Sequence, residues 1–203
     1  MMSSAPHRDF SVQNRPAPWV LAAVTFAIAC AGALLIVFAS SRHVSAEFSA
    51  APQIARDITK LPAEVQRMRQ EIIVAATSGD IEQLRVPIDM NEIHPVFTKD
   101  RVPDPIAYLK SASGDGNGRE MLAILFNLLT TGYAVIHAGT KDEMIVWPYH
   151  AVIAPNTLTP SQEVELYRFV SPARFKDMLK QGKYDYYSVG IGRDGVWHYF
   201  TAN

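Results

Sequence analysis

REMLAILFNLLTTGYAVIHAGTKDEMIVW, residues 119–147, contains the change of pattern that decides the fold. Its first part, Arg119 to Thr130, is apolar nearly all round, which is typical of a helix buried on every side. Residues 133–138 and 143–147 then carry strand-forming residues on either side of a turn at Gly139–Asp142, which predicts a β-hairpin. A buried helix followed by a hairpin indicates an α+β domain.

Upstream residues predict further helices packed on this unit. Pro62 suits the first turn of a helical hairpin over 62–86, with Ser78-Gly79-Asp80 between its two helices. Residues 87–104 contain three prolines and are expected to be irregular. Asp104 and Pro105 then predict the N-cap and first position of a short helix.

Downstream residues predict two helices and a second hairpin. Thr159 to Gln162 has the pattern of a capping box, and Ser171-Pro172 starts another helix that Gly182 ends. Asp194-Gly195 predicts a two-residue hairpin turn. The expected core includes Val65, Met68, Ile72, Leu122, Leu125, Leu129, Val135, Ile145, Val189, Ile191 and Phe200.

The predicted C-terminal hairpin suggests a binding surface. A two-residue turn places Trp197 opposite Gly192 and Tyr199 opposite Gly190, which leaves those rings uncovered on one side. Such a ledge suits stacking on a sugar ring or clamping of an apolar chain. In the alternative interpretation, aromatic residues favour strands and fill the space above a facing glycine. The candidate binding residues are Tyr184, Tyr186, Trp197 and Tyr199.

Catalytic candidates are sparse. Glu92 and His94 form the nearest approach to a carboxylate–histidine pair, and His137 is a candidate base because histidine titrates near neutral pH. The histidines, His150 and His198 among them, lack metal-ligand spacing, and we predict no metal and no cofactor. The glycine-rich loop 113–118 lacks the P-loop lysine and the calcium-loop pattern, which favours a plain connection.

The N-terminal segment predicts export. Residues 19–38 form an uncharged apolar run, and Val44-Ser45-Ala46 ends small-x-small. Both a signal peptide cleaved after Ala46 and a retained transmembrane anchor fit residues 1–46, and the anchor makes the membrane a partner through residues 19–38. Either option places the rest of the chain on the periplasmic side of the cell envelope. We predict a linker over 47–60 and one domain over 61–203.

Composition limits the function further. Beyond Ala46 the chain carries 16 basic and 19 acidic side chains, so it lacks the basic surface of a nucleic-acid-binding protein. Cys30, the single cysteine, lies within the apolar run. Cleavage therefore leaves no thiol nucleophile and no disulfide framework.

Several stretches resemble a family of exported proteins of unknown function from rhizobia and related alphaproteobacteria. They include DPIAYLKSASGDGNGREMLAILFNLL, LTPSQEVELYRFVSP and VGIGRDGVWHYF, and the resemblance spans roughly residues 62–201. It implies export and one folded unit, without an activity. Because no nucleophile, metal-ligand set or acid pair stands out, and because of the predicted aromatic ledge, we expect a non-catalytic module that binds an envelope glycan, lipid or partner protein. The alternative is an envelope hydrolase or lyase that uses a His/carboxylate pair.

Intact-mass measurement of the protein isolated from its host distinguishes the two forms of the N-terminus. We expect a mature chain that begins at Glu47, or the full chain extracted with the membrane. A full-length protein recovered in the soluble cytosol would contradict both forms.

Overall fold

The structure is a computed structural model that describes residues 51–202, so the predicted export segment lies outside the described residues. Over this range the protein is α+β, with six α-helices and a five-stranded antiparallel sheet. Among the helices described, none is long and apolar enough to cross a membrane.

The helices and strands are numbered in chain order. The strands are β1 (Gln53–Ala55), β2 (Tyr133–Ile136), β3 (Met144–Trp147), β4 (Tyr187–Gly192) and β5 (Trp197–Ala202). The helices are α1 (Ala63–Thr77), α2 (Arg85–Asp89), α3 (Pro105–Ala112), α4 (Arg119–Leu129), α5 (Pro160–Leu166) and α6 (Pro172–Gln181).

The strands lie side by side in chain order, and β1 forms one end of the sheet. Ile54 of β1 lies opposite Ala134 of β2. Asp57 then caps a 3-10 turn over Ile58–Lys60 by accepting from the Thr59 N–H. Residues 53–55, predicted as part of a linker, belong instead to the sheet, because β2 gives their backbone hydrogen-bond partners.

The main core lies between the sheet and the helices α1 and α4, which pack on each other and on β4. Every predicted core residue is buried except Val135, which is half-buried and packs against the core. Val135 lies opposite Gln53 of the short outer strand β1, where the sheet ends and gives less cover.

Local signals for helix boundaries are confirmed. Asp104 caps α3 by accepting from the Ile106 N–H at 3.0 Å. Thr159 and Gln162 form both bonds of the capping box at the start of α5. Pro87, predicted to end a helix, lies instead within the first turn of α2, where its missing N–H costs no hydrogen bond.

The predicted two-residue turn of the C-terminal hairpin is wrong. The Gly192 N–H donates to the Val196 carbonyl at 2.8 Å, and the Gly195 N–H donates to the Gly192 carbonyl at 2.9 Å. The connection therefore has three residues, 193–195, and ends in the left-handed Gly195 at φ 84°. Three-residue hairpin loops commonly take this form, with a glycine in the left-handed position.

The longer connection changes the pairing of β4 and β5. Trp197 lies opposite Ile191, and Tyr199 lies opposite Gly190, with a bulge between the two pairs. His198 is the extra residue of this bulge. Its side chain is exposed, whereas the strict alternation of a two-residue hairpin would place it with Val189, Ile191 and Phe200.

Gly195 packs directly on the start of α1. A β-carbon at this position would lie 2.9 Å from the backbone carbon and oxygen of Glu64. The hairpin turn can approach the helix this closely only because Gly195 has no side chain.

Replacing Gly195 with Ala should lower the free energy of unfolding more than replacing Gly182, which ends α6. Both glycines have positive φ, but no atom lies within 4 Å of a β-carbon at Gly182. We expect Gly182→Ala to cost about 1 kcal/mol for the left-handed backbone. Gly195→Ala should cost about 1–3 kcal/mol more, because its β-carbon meets backbone. Urea denaturation measures both, and equal losses would contradict the close contact.

Candidate functional site

The structure contradicts the predicted aromatic ledge at Trp197. This residue is 0% exposed and belongs to the main core. Its indole N–H donates to the Tyr199 carbonyl at 3.0 Å, and its ring meets Phe97 edge-on at 5.7 Å between centroids. The bulge at His198 turns Trp197 inward, so its ring has no free face for a ligand.

Tyr199 fills the space above a facing glycine. A β-carbon on Gly190 would lie 2.2 Å from the Tyr199 ring and 2.8 Å from the Met144 sulfur. Burial raises the pKa of the Tyr199 hydroxyl, and a hydrogen bond with Ser188 lowers it. At this position the aromatic ring therefore fills the space above the facing glycine, as the alternative interpretation of the pair states.

The two remaining candidate tyrosines also pack within the protein. Tyr184 is 6% exposed and donates its hydroxyl to the Tyr187 carbonyl at 2.7 Å. Tyr186 is half-buried; Phe169 stacks on its ring at 6.1 Å, and the Arg174 guanidinium lies 5.0 Å from its centroid. Neighbouring side chains therefore occupy these rings.

The predicted catalytic residues do not converge. His94 Nε2 lies 3.5 Å from Asp89 Oδ1, and no hydrogen bond joins His94 to Glu92. His137 is an exposed residue at the end of β2 with a left-handed backbone at φ 52°, and its carbonyl accepts from the Thr140 N–H at 3.1 Å. His137 therefore lies apart from Glu92 and His94, and no hydrogen-bonded carboxylate–histidine pair forms among the three.

His150 lies in a third location. It is 2% exposed, its ring stacks on Tyr149 at 4.0 Å, and Nε2 lies 2.9 Å from the Gln162 carbonyl. Because a carbonyl only accepts, Nε2 carries the proton of the neutral ring. Nδ1 is then an acceptor that has no hydrogen-bond partner among the described residues.

Next to His150, a charged network joins β1, β2 and α5. Glu165 accepts from the Arg56 guanidinium at 2.7 Å, from the Tyr149 hydroxyl at 2.8 Å and from the Gly132 N–H at 3.0 Å. Burial opposes ionisation of Glu165, but these donors outweigh it and lower the pKa of this carboxyl. Burial, with the bond to Glu165, raises the pKa of Tyr149. The carboxylate is fully used as an acceptor, so this network fixes the helical pair to the sheet.

The glycine-rich loop 113–118 is also occupied by its own side chains. Asp115 accepts from the Ser113 hydroxyl and from the Asn117 N–H, and the Ser113 bond is the main cause that lowers the pKa of Asp115. Glu120 accepts from the Gly114 N–H. Carboxylates already occupy the donors that an anion would need at the start of α4.

The segment between α2 and α3 lines a cleft on the surface of the domain. Residues 91–104 contain no helix, and loops of about 12–15 residues without regular structure are usually functional in compact domains. Residues of this segment, with Pro105, line a cleft of ≈ 720 Å³. That volume lies within the range of about 300–1,000 Å³ that small-molecule sites occupy.

The segment is anchored to the outer edge of β5. The Val96 N–H donates to the His198 carbonyl at 2.8 Å, and the Val96 carbonyl accepts from the Phe200 N–H at 2.9 Å. The buried Asn91 side chain accepts from the Trp197 N–H at 2.8 Å. These bonds fix the inner wall of the cleft.

The far end of the segment is fixed to the helices. Arg85 of α2 binds Glu82 at 2.9 Å and Asp104 at 3.3 Å. Lys110 of α3 binds the same Glu82 at 2.6 Å. The two ends of the loop are therefore held by separate interactions.

The cleft combines apolar walls with charges of both signs. Ile93, Val96 and Val102 are among the apolar residues that line it. Four charged residues at the cleft, Glu92, Lys99, Asp100 and Arg101, form no ion pair and no side-chain hydrogen bond with the residues that the structure describes. These groups are therefore free to bind a ligand.

Lys99, Asp100 and Arg101 were not predicted from the sequence, whereas Glu92 and His94 of the same cleft were. The available signal was a long irregular segment that contains prolines and both signs of charge. Within the described residues, no three His, Cys, Asp or Glu side chains are arranged to hold a metal ion.

Comparison of the chain with protein-family models, curated proteins and solved structures finds no match. The resemblance to exported proteins of rhizobia stays a prediction. A proposal about function must therefore rest on the geometry of the structure.

His150→Phe should reduce the acid sensitivity of the fold. Burial is the main cause that lowers the pKa of His150 below its usual 6.5, so wild type loses stability as the pH falls below about 6.5. The loss from this group has a limiting slope of about 1.4 kcal/mol per pH unit, which Phe removes. Denaturation midpoints between pH 7.5 and 4.5 measure the difference.

Replacing the exposed His94 with Gln is the matched control for the loss of a histidine elsewhere in the domain. Identical curves for wild type and His150→Phe would contradict a lowered pKa of His150 in the fold.

Proposed function

We propose that this protein is a non-catalytic binding module of the bacterial cell envelope, and that the cleft lined by residues 92–103 and Pro105 is its binding site. The proposal rests on four charged side chains that line an anchored, partly apolar cleft and form no ion pair with residues 51–202. Export to the periplasmic side follows from the 19–46 pattern, and the resemblance to exported proteins supports it.

The cleft has the features of a preformed site. Both ends are pinned, by Val96 and Asn91 on the sheet side and by Arg85 on the helix side. A loop that is already ordered pays little conformational entropy when a ligand binds. Its polar groups give orientation, while the apolar wall gives contact area.

The hydrolase or lyase alternative has less support. Glu92 and His94 both line the cleft, but no hydrogen bond joins them. His94 lies next to Asp89 instead. A carboxylate that orients a catalytic histidine must lie within hydrogen-bond reach of it, at about 2.6–3.2 Å. His137 and His150, the other candidates, have different surroundings.

Replacing both Lys99 and Arg101 with Ala should weaken binding to envelope material. Both side chains are exposed and form no hydrogen bond or ion pair with residues 51–202, so the fold should keep its stability. We expect at least a tenfold loss of affinity, since each lost charge-assisted contact is worth about 1.5–3 kcal/mol. Co-sedimentation with purified peptidoglycan and with vesicles of envelope lipid measures binding to each class of ligand.

The matched control replaces Lys176 and Lys183, two exposed lysines on or next to α6, with Ala. This variant has nearly the same net charge as the cleft variant and should bind like wild type. Equal binding by all three proteins would contradict a site in the cleft.

A further inference from the structure

An exposed apolar stretch borders the cleft. Ten large hydrophobic residues are exposed in the part of the chain that the structure describes, and four of them lie between positions 86 and 96. Ile93 has the highest exposure of the ten, at 81%. These four are Val86, Met90, Ile93 and Val96.

The stretch leads into the cleft along the chain. Val86 and Met90 are four positions apart at α2, so they lie on the same side of the helix. Ile93 and Val96 follow in the chain and line the cleft itself. Concentrated exposed apolar residues with a polar rim mark an interaction site more often than scattered ones do.

The charges of the cleft determine which head group fits. Lys99 and Arg101 only donate, and so suit a phosphate or carboxylate. Glu92 and Asp100 accept when ionised, and so suit an ammonium group. A purely anionic ligand would meet repulsion from these two carboxylates, and a purely cationic one would meet repulsion from the two bases.

We propose that the cleft binds a zwitterionic amphiphile of the phosphatidylethanolamine type, with its head group among Glu92, Lys99, Asp100 and Arg101 and its apolar part along Ile93 and Met90. This inference rests on the proposed function and names its ligand. A short zwitterionic peptide matches the charges but has no long apolar part to cover the stretch from Val86 to Val96.

Photocrosslinking tests this proposal on the full chain. A photoreactive p-benzoylphenylalanine replaces Ile93 in one variant and Val164 in a control, since Val164 is also exposed, at 70%, but lies on α5. Each purified chain is reconstituted in vesicles of mixed phosphatidylethanolamine and phosphatidylglycerol and irradiated. Mass spectrometry then identifies the lipid attached at each position.

We expect phosphatidylethanolamine adducts at position 93 to exceed those at position 164 by about tenfold or more. Charge reversal by Lys99→Glu with Arg101→Glu, added to the position-93 variant, should reduce these adducts at least fivefold. Urea denaturation checks that each variant is folded. Equal labelling at the two positions, or a preference for phosphatidylglycerol, would overturn the proposal.

The same variants, irradiated in living cells, separate this inference from the proposed function. A glycan or peptide adduct at position 93 would reject the lipid while supporting a binding site in the cleft. Absence of any adduct at position 93, together with wild-type envelope binding by the Lys99/Arg101 alanine variant, would reject both.

Discussion

The position of the cleft depends on the backbone of Val96, whose N–H and carbonyl both bond to the outer strand β5. An uncovered edge strand presents unpaired N–H and C=O groups and invites aggregation. Val96 bonds to His198 and Phe200, and Asn91 bonds to Trp197, so backbone groups at positions 197, 198 and 200 of this edge have hydrogen-bond partners. The chain must therefore follow the sheet edge between α2 and α3, and the remainder of the loop encloses the cleft.

The bulge at His198 belongs to the same arrangement. It lets Trp197 face the core, where its ring meets Phe97 of the covering segment edge-on. Without the extra residue, alternation would place Trp197 and Tyr199 on one face of the strand, as the sequence pattern suggested. The extra residue thus converts a predicted surface aromatic into a core contact that holds the cleft wall.

Features that depend on neighbouring residues could be predicted from the sequence, and features that depend on distant contacts could not. Capping by Asp104 and Thr159 was predicted correctly, because these signals act over three residues. The hairpin turn was not, because Asp194-Gly195 fits both a two-residue loop and a three-residue loop that begins at Arg193. Packing of Gly195 on Glu64 accompanies the longer form, and that contact is not visible in local sequence. The charges of the cleft were missed for the same reason, since their position depends on where β5 pins the loop.

The charged residues fall into two groups, those that stabilise the fold and those that lie exposed at the cleft. Glu165 is enclosed by three donors, and Glu82 and Arg85 bond to each other and to neighbouring helices, so these groups stabilise structure. The four free charges at the cleft are exposed and hydrated, so leaving them unpaired costs the fold little. Their exposure supports the proposal that the cleft binds a ligand of matching charge.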